Sequence, residues 1–428
     1  MEHLHFIYRD EELLCEAVPV RRIAEKIGTP VFVYSRDVIQ RHFQKLVDAF
    51  RQVETLVCYS VKALGNLAIC QVLRDVGAGF DVVSGGELFR ALQAGGRAKK
   101  IVFAGVGKSA EEIEFALDRR ILMFNVESEP ELRLIDLIAT QKGMVADIAL
   151  RVNPDVDPKT HTYISTGKRE TKFGLDLETA ERLAAGIPRL TGIRMIGVHV
   201  HIGSQITQVE SHVAALRKAI DFADRAKGLG NPVEWINLGG GFGIHYREVE
   251  APPVSDYADV LLPLIAPSGY RLIIEPGRFI VGNAGLLLTR VLYVKRSGDR
   301  RFIICDAGMN DLIRPALYGA WHEVWPVSTP YAKGSPASDA ASTPADVVGP
   351  VCESADFLAR DRMLPPVKDG DLMAVFSAGA YGMSMASNYN GRPRPAEVLV
   401  SGSLYEVIRT RETWDDLIRG ERKVARWD

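Results

Sequence analysis

A lysine, two histidines, a run of glycines and a glutamate–arginine pair each stand just beyond a short apolar run. They are Lys62 in SVKALGN, His199 and His201 in GVHVHIGSQ, Gly239, Gly240, Gly241 and Gly243 in NLGGGFG, and Glu275 and Arg278 in IIEPGR. A lysine in such a place either snorkels to water or offers its amine for Schiff-base chemistry. Glycines, lacking Cβ, let backbone N–H groups gather round an anion such as a phosphate, or simply form a tight turn. The run is not a P-loop, because no Gly-Lys-Ser/Thr follows it, and Gly105-Val-Gly107-Lys108 fails the same test. Two histidines at i, i+2 on a strand share a face and could ligate a metal, although only Glu275 offers itself as a third ligand.

A reactive amine and an anion site on one rim are what pyridoxal phosphate requires. That cofactor also needs an acid beside its pyridine nitrogen, which Glu275 could supply, and a flat group against its ring, which His201 could supply.

The elements that must position these groups alternate strand and helix. Strands are expected at Glu54–Ser60, Gly79–Val83, Ile101–Ala104, Ile121–Val126, Ala146–Val152, Ile193–Val200, Val233–Leu238 and Arg271–Glu275, with helical patterns between them. Asn66, Ser109 and Ser128 stand where a side-chain oxygen would cap a helix. Eight such units over about 230 residues suit a (β/α)8 barrel better than an open doubly wound sheet. In a barrel the chemistry belongs at the C-terminal ends of the strands, which is where the unusual residues fall.

Beyond residue 285 the rhythm changes to strands without regular helices, at Leu286–Arg296, Arg301–Asp306, Leu372–Phe376 and Ala396–Val400. Phe6–Tyr8, Cys15–Val18 and Val31–Tyr34 have the same character. The expected architecture is therefore an α/β (β/α)8 barrel with a second, C-terminal β-rich domain completed by the N-terminal segment. The boundaries read as 1–30 for that segment, 31–285 for the barrel and 286–428 for the β domain. Lys333–Ala345 (KGSPASDAASTPA) is small-residue-rich and aperiodic, the pattern of a flexible surface insertion.

Composition excludes several classes. Over 428 residues, 52 Lys+Arg against 54 Asp+Glu leave a formal charge of −2, so no basic field serves nucleic acid or an anionic membrane. No run of about eighteen apolar residues exists to span a bilayer. Glu2, Asp10, Glu11, Glu12 and Glu16 are unlike a basic-then-apolar export signal, and the expected compartment is the cytoplasm. Five scattered cysteines without a CxxC argue against a disulfide scaffold or thiolate cluster.

Taken together, SVKA, FDVVSGGEL, HVHIGSQ, NLGGGFG, EPGR, RPALYGAWH, VCESADFL and GAYGMSMASNYNGRPRPAEVLV resemble the diaminopimelate decarboxylase family. That family belongs to the pyridoxal-phosphate decarboxylases with an alanine-racemase-like barrel, and the resemblance runs from about residue 5 to 425. It implies decarboxylation of meso-2,6-diaminopimelate to L-lysine and carbon dioxide, the last step of bacterial lysine biosynthesis. It implies that Lys62 anchors the cofactor, that Asp81 and His201 line it, and that Glu275 pairs with its pyridine nitrogen. Ser204, Gly239, Gly240, Gly241, Gly277, Arg278 and Tyr381 would hold the phosphate. Arg278, Arg314 and Tyr318 would bind the substrate's far carboxylate and Glu353 its far ammonium, with Tyr381 also on the substrate. Cys352 would handle a proton at the α-carbon. The Cys352–Glu353 pair would enter from a neighbouring subunit, so two complete sites would need a homodimer. Leu64-Gly65 departs from the family's usual Ala-Asn-Ser, altering the turn after Lys62 and not the lysine.

Three alternatives keep the fold: a decarboxylase of lysine, ornithine, arginine or a carrier-tethered amino acid, a racemase, or a non-catalytic cofactor carrier. Two arginines at the far end disfavour the first, since a simple diamine precursor has no distal carboxylate. Glu275 disfavours the second, and the β domain the third.

Overall fold

A computed structural model describes residues 6–156, 172–246, 251–331, 333 and 335–424. The chain divides into two units, one of Ile39–His245 with Val249–Ile280, the other of Met1–Val38, Tyr246–Glu248 and Val281–Asp428.

The first unit is a closed barrel of eight parallel strands. They are β1 (Thr55–Ser60), β2 (Gly79–Val82), β3 (Ile101–Phe103) and β4 (Met123–Val126), followed by β5 (Ala146–Arg151), β6 (Ile193–His199), β7 (Trp235–Asn237) and β8 (Arg271–Ile274). All eight expected strands are present, each shorter at one or both ends than its apolar run. The runs are continuous because helices cover the outer face while side chains fill the interior. One interior layer is built from Cys58, Val102, Met123, Ala149, Ile196, Trp235 and Ile273. The caps form as expected: Asn66 accepts from the Ala68 N–H, Ser109 from Glu112 in a reciprocal capping box, and Ser128 from Glu131.

The second unit is a β-rich sheet ordered around the long strand Gly285–Ser297. Val31–Ser35 pairs with that strand on one side and with Ala396–Ser401 on the other. This strand therefore lies outside the barrel unit, whose span begins at Ile39 and ends at Ile280, inside the 31–285 read from the sequence. The stretch Cys15–Val18 is not one strand. Glu16 at φ +54° turns the chain between Glu12–Cys15 and Val18–Pro19, which then pair with each other.

The 333–345 segment also differs from its expectation as an aperiodic insertion. Ser335 Oγ accepts the Ser338 N–H at 3.1 Å and starts the short helix Pro336–Ala341. Thr343–Val348 then joins the sheet between Phe357–Leu364 and Arg300–Cys305. Small residues without apolar periodicity hide a strand whose edges are both paired. Among the described residues no helix is long and apolar enough to cross a membrane.

Candidate active site

Lys62 lies in a 3-10 turn, Val61–Ala63, immediately after β1. Its Nζ stands 3.1 Å from Asp81 Oδ2, on the fully buried β2 partner of Ser60. The Ser60 hydroxyl is 2.7 Å from the same carboxylate oxygen and 3.0 Å from the Glu275 carbonyl. Burial and the Glu275 charge push the Asp81 carboxyl up, against the pull of Lys62 and Ser60. Asp81 Oδ1 has no hydrogen-bond partner among the described residues.

Glu275 follows β8 and is also buried. Its Oε1 accepts from the Asn237 amide at 2.6 Å and the Asn125 amide at 3.2 Å, while His199 Nε2 is 3.4 Å from Oε2. Burial works to raise this carboxyl, but the His199 contact and the Lys62 charge outweigh it and hold it below the usual carboxylate range. An anionic carboxylate in the barrel mouth, held by neutral amides, is suited to keeping a proton on a heterocyclic nitrogen.

The glycine turn packs against this pair. A Cβ on Gly240 would lie 2.3 Å from the Glu275 carbonyl oxygen, and one on Gly239 2.5 Å from His201 Nδ1. Gly239 and Gly241 have φ of +67° and +103°, which L side chains rarely adopt. Two of the run's N–H groups are engaged within the chain: Gly239 donates to Asn237 Oδ1 at 3.0 Å and Gly240 to His201 Nδ1 at 3.1 Å. These two glycines thus serve close packing and the orientation of Asn237 and His201, where the sequence suggested a row of open donors.

Accepting the Gly240 N–H leaves Nδ1 of His201 unprotonated. Burial, together with the charges of Arg151 and Lys62, pushes its imidazole well below the usual histidine range. A flat, uncharged ring on a half-buried rim is the surface an aromatic cofactor would stack upon. His212, fully buried, lies 3.2 Å from the Gly240 carbonyl and braces the turn from behind. At the far side of the turn Arg278 donates to Ser204 Oγ at 3.1 Å, and Gly277 packs where a Cβ would be 3.0 Å from those of Ala63 and Ser60. His199 and His201 face separate partners. Among the described residues no group of three or more His, Cys, Asp or Glu is placed to hold a metal.

In the other unit Arg314 is buried and opens the helix Arg314–Tyr318. Its Nη1 stands 2.8 Å from His322 Nε2, and its guanidinium lies 4.7 Å over the Tyr246 ring. His322 Nδ1, 2.9 Å from the Phe376 carbonyl, is the protonated nitrogen, which leaves Nε2 to accept from arginine. Tyr318 and Tyr381 are half-buried, the latter at φ +57°.

Cys352 and Glu353 are exposed on a turn built by its neighbours. Asn390 Oδ1 accepts the Cys352 N–H at 2.8 Å, and the two Asp356 oxygens accept from Met309 and Val351 at 2.6 Å each. The other four cysteines are buried, and burial raises their thiols, those of Cys70 and Cys305 to about 12. Cys352 alone is presented for chemistry.

Sequence reasoning missed Ser60, Asn125, Asn237, Tyr246 and His322. The signal for the first three was a polar residue at an inward position of an otherwise apolar strand.

A barrel mouth bearing a lysine–aspartate pair, a buried anionic glutamate, a neutral histidine and a glycine cradle, in a chain with a separate β unit, defines a pyridoxal-phosphate decarboxylase of the alanine-racemase-like class. The family model described as pyridoxal-dependent decarboxylase, pyridoxal binding domain, matches residues 36–282. The chain is 48% identical over 416 residues to the diaminopimelate decarboxylase of Pseudomonas aeruginosa, covering 97% of this chain and 98% of that one. The Helicobacter pylori diaminopimelate decarboxylase, solved in complex with L-lysine, superposes with a TM-score of 0.89 at 41% identity, over 94% of this chain and 98% of that one. The M. jannaschii enzyme of the same name, also with L-lysine, gives 0.92 at 38% identity over 98% of both chains. This chain belongs to the diaminopimelate decarboxylase family.

Proposed function

We propose that this chain decarboxylates meso-2,6-diaminopimelate to L-lysine and carbon dioxide, the closing step of lysine synthesis, in the cytoplasm. One observation carries the substrate: a diaminopimelate decarboxylase matches this chain at 48% identity over 97% of its length.

Bound pyridoxal phosphate supplies the electron sink for the charge left when carbon dioxide departs. Lys62 would anchor it, with Asp81 beside the amine. Glu275 would keep a proton on the pyridine nitrogen, and His201 would offer its flat face to the ring. Gly239, Gly240 and Gly241 shape the phosphate cradle, which Ser204, Gly277, Arg278 and Tyr381 complete. The substrate's far end is itself an amino-acid head. Arg278 and Arg314, with Tyr318, grip its carboxylate, for which a planar guanidinium is suited, and Tyr381 also lies on the substrate. Glu353 takes its ammonium. As the C–C bond to the leaving carboxylate breaks, a proton from Cys352 or Lys62 takes its place on the α-carbon. Cys352 and Glu353 reach the barrel of a second copy, so the active form is a homodimer with two shared sites. Their exposure on a rigid turn supports that reading.

The test is carbon dioxide release from meso-diaminopimelate, lysine, ornithine and arginine. Diaminopimelate is expected to turn over fastest, and Arg314→Ala to lower its kcat/KM by ~10²-fold or more, as for loss of a buried charged contact. Equal rates on ornithine, or an unchanged rate in Arg314→Ala, would overturn the substrate assignment.

A further inference from the structure

The Gly105-Val-Gly107-Lys108 motif holds no nucleotide pattern, yet its lysine is among the most enclosed charges of the barrel. The Lys108 side chain is fully buried. Its ammonium has three protons to donate and three acceptors round it: the Gly105 carbonyl at 2.8 Å, the Asn125 carbonyl at 2.9 Å and Glu131 Oε1 at 2.7 Å. The first acceptor lies just beyond β3, the second on β4, and the third in the first turn of the helix Glu129–Gln141. One point charge thus ties two neighbouring strand ends to the helix that follows.

The ties continue. Glu131 Oε2 accepts the Glu127 N–H at 3.0 Å. Glu127 in turn accepts from the Gly105 N–H at 2.8 Å and from Arg151 Nη1 at 2.9 Å. Arg151 closes β5, opposite His199 on β6. Desolvating an ammonium is costly, and an apolar side chain of similar volume would fill the space without that penalty. What the apolar side chain lacks is three directed bonds. The bond with a chemical consequence is the one to Asn125. That residue's carbonyl is held by Lys108 while its side-chain amide donates to Glu275 Oε1 at 3.2 Å.

We propose that Lys108 is a positioning residue for Glu275, acting through Asn125: it fixes the strand end from which the Asn125 amide aims the carboxylate. This rests on the reading that Glu275 faces the ring nitrogen of the bound cofactor. Asn237 grips the same oxygen independently, so loss of Lys108 misdirects the carboxylate without releasing it.

The experiment loads the protein with pyridoxal phosphate labelled with nitrogen-15 in the ring and reads that nucleus, which reports whether the nitrogen keeps its proton. Glu275→Gln tests the underlying reading, and an unmoved signal there overturns it. With that signal moved, Lys108→Met is expected to shift the ring nitrogen part of the way toward the Glu275→Gln position. It should also lower kcat by ~10-fold while leaving KM within ~2-fold, as for an interaction that matters after substrate is bound. A ring signal at the wild-type position in Lys108→Met overturns the proposal.

Two further variants separate aiming from loss of a buried charge. In the Lys108→Met/Asn125→Ala pair the two shifts are expected not to add, because both act through one amide; additive shifts overturn the proposal. Glu131→Gln removes the ion partner of Lys108 while leaving the Asn125 contact in place. It is expected to leave the ring signal where it is, and a shift as large as that of Lys108→Met overturns the proposal. In the cofactor-free chain the Asn125 side-chain amide resonance should move in Lys108→Met and not in Glu131→Gln.

Discussion

The barrel mouth and the Cys352–Glu353 turn carry the side chains proposed for function under opposite conditions. In the mouth Asp81 and Glu275 are buried, their carboxylates held by Ser60, Asn125 and Asn237, and the His201 ring accepts the Gly240 N–H. On the turn the backbone is equally well held, by Asn390 and Asp356, but the two side chains that matter stand exposed. A buried charge must have partners, since an unmet one costs several kcal/mol. An exposed side chain has water, and needs only a backbone that aims it. The first arrangement fixes charges within one chain. The second presents a thiol and a carboxylate to something outside the turn, which in the proposed dimer is the other copy.

The sharpest way to break this contrast is to empty each region in turn. Lys62→Ala should abolish turnover, by at least ~10³-fold, the scale of a lost proton-transfer or nucleophilic group. It should also strip the visible absorbance of bound cofactor. Cys352→Ala should spare that absorbance while still slowing the reaction. A colourless wild-type protein that takes up no pyridoxal phosphate would defeat the mouth's assignment.

A smaller effect separates one chain from two. Mixing inactive Lys62→Ala with slowed Cys352→Ala, under conditions that exchange subunits, should raise activity above that of either variant alone. Roughly a quarter of the sites then combine an intact mouth with an intact turn, if sites are shared across a two-fold interface. No recovery after proven exchange would place Cys352 and Lys62 of one site on the same chain.

The smallest effect concerns the brace beneath the turn. Asp311, buried and accepting from the Gly308 N–H at 2.9 Å, is pushed up to about 7 by desolvation. A carboxyl whose folded value exceeds its unfolded one binds more protons when folded. Its contribution is therefore complete below about pH 4 and is lost as pH rises through about 7. The melting temperature should fall by a few degrees across that window, and Asp311→Asn should flatten the slope. An unchanged slope in the variant would assign the titration elsewhere.

The same contrast explains what could be read in the sequence. Eight apolar runs separated by capped helices specify a barrel because both strand faces are dry, so the pattern is unbroken and local. Lys62, His201, the glycines and Glu275 were legible because barrel strands send whatever follows them to one rim. The strand Thr343–Val348 was not, since its small residues carry no alternation and its partners, Arg300–Cys305 and Phe357–Leu364, supply the pairing. Asn125 and Asn237 read only as polar interruptions, because the carboxylate they serve lies 150 and 38 positions away. Lys108 read as half of a failed motif.

By itself the sequence determined the barrel, the separate β unit, the cofactor class and most of the residues that gather at the barrel mouth. Each depends on residue type and local period, which the chain carries at every position. Only the tertiary structure decided which charges are buried, which of them share a proton donor, and which glycine N–H groups are already taken. Those depend on distances between residues far apart in the chain, and burial is what turns a contact of about 3 Å into a constraint on chemistry.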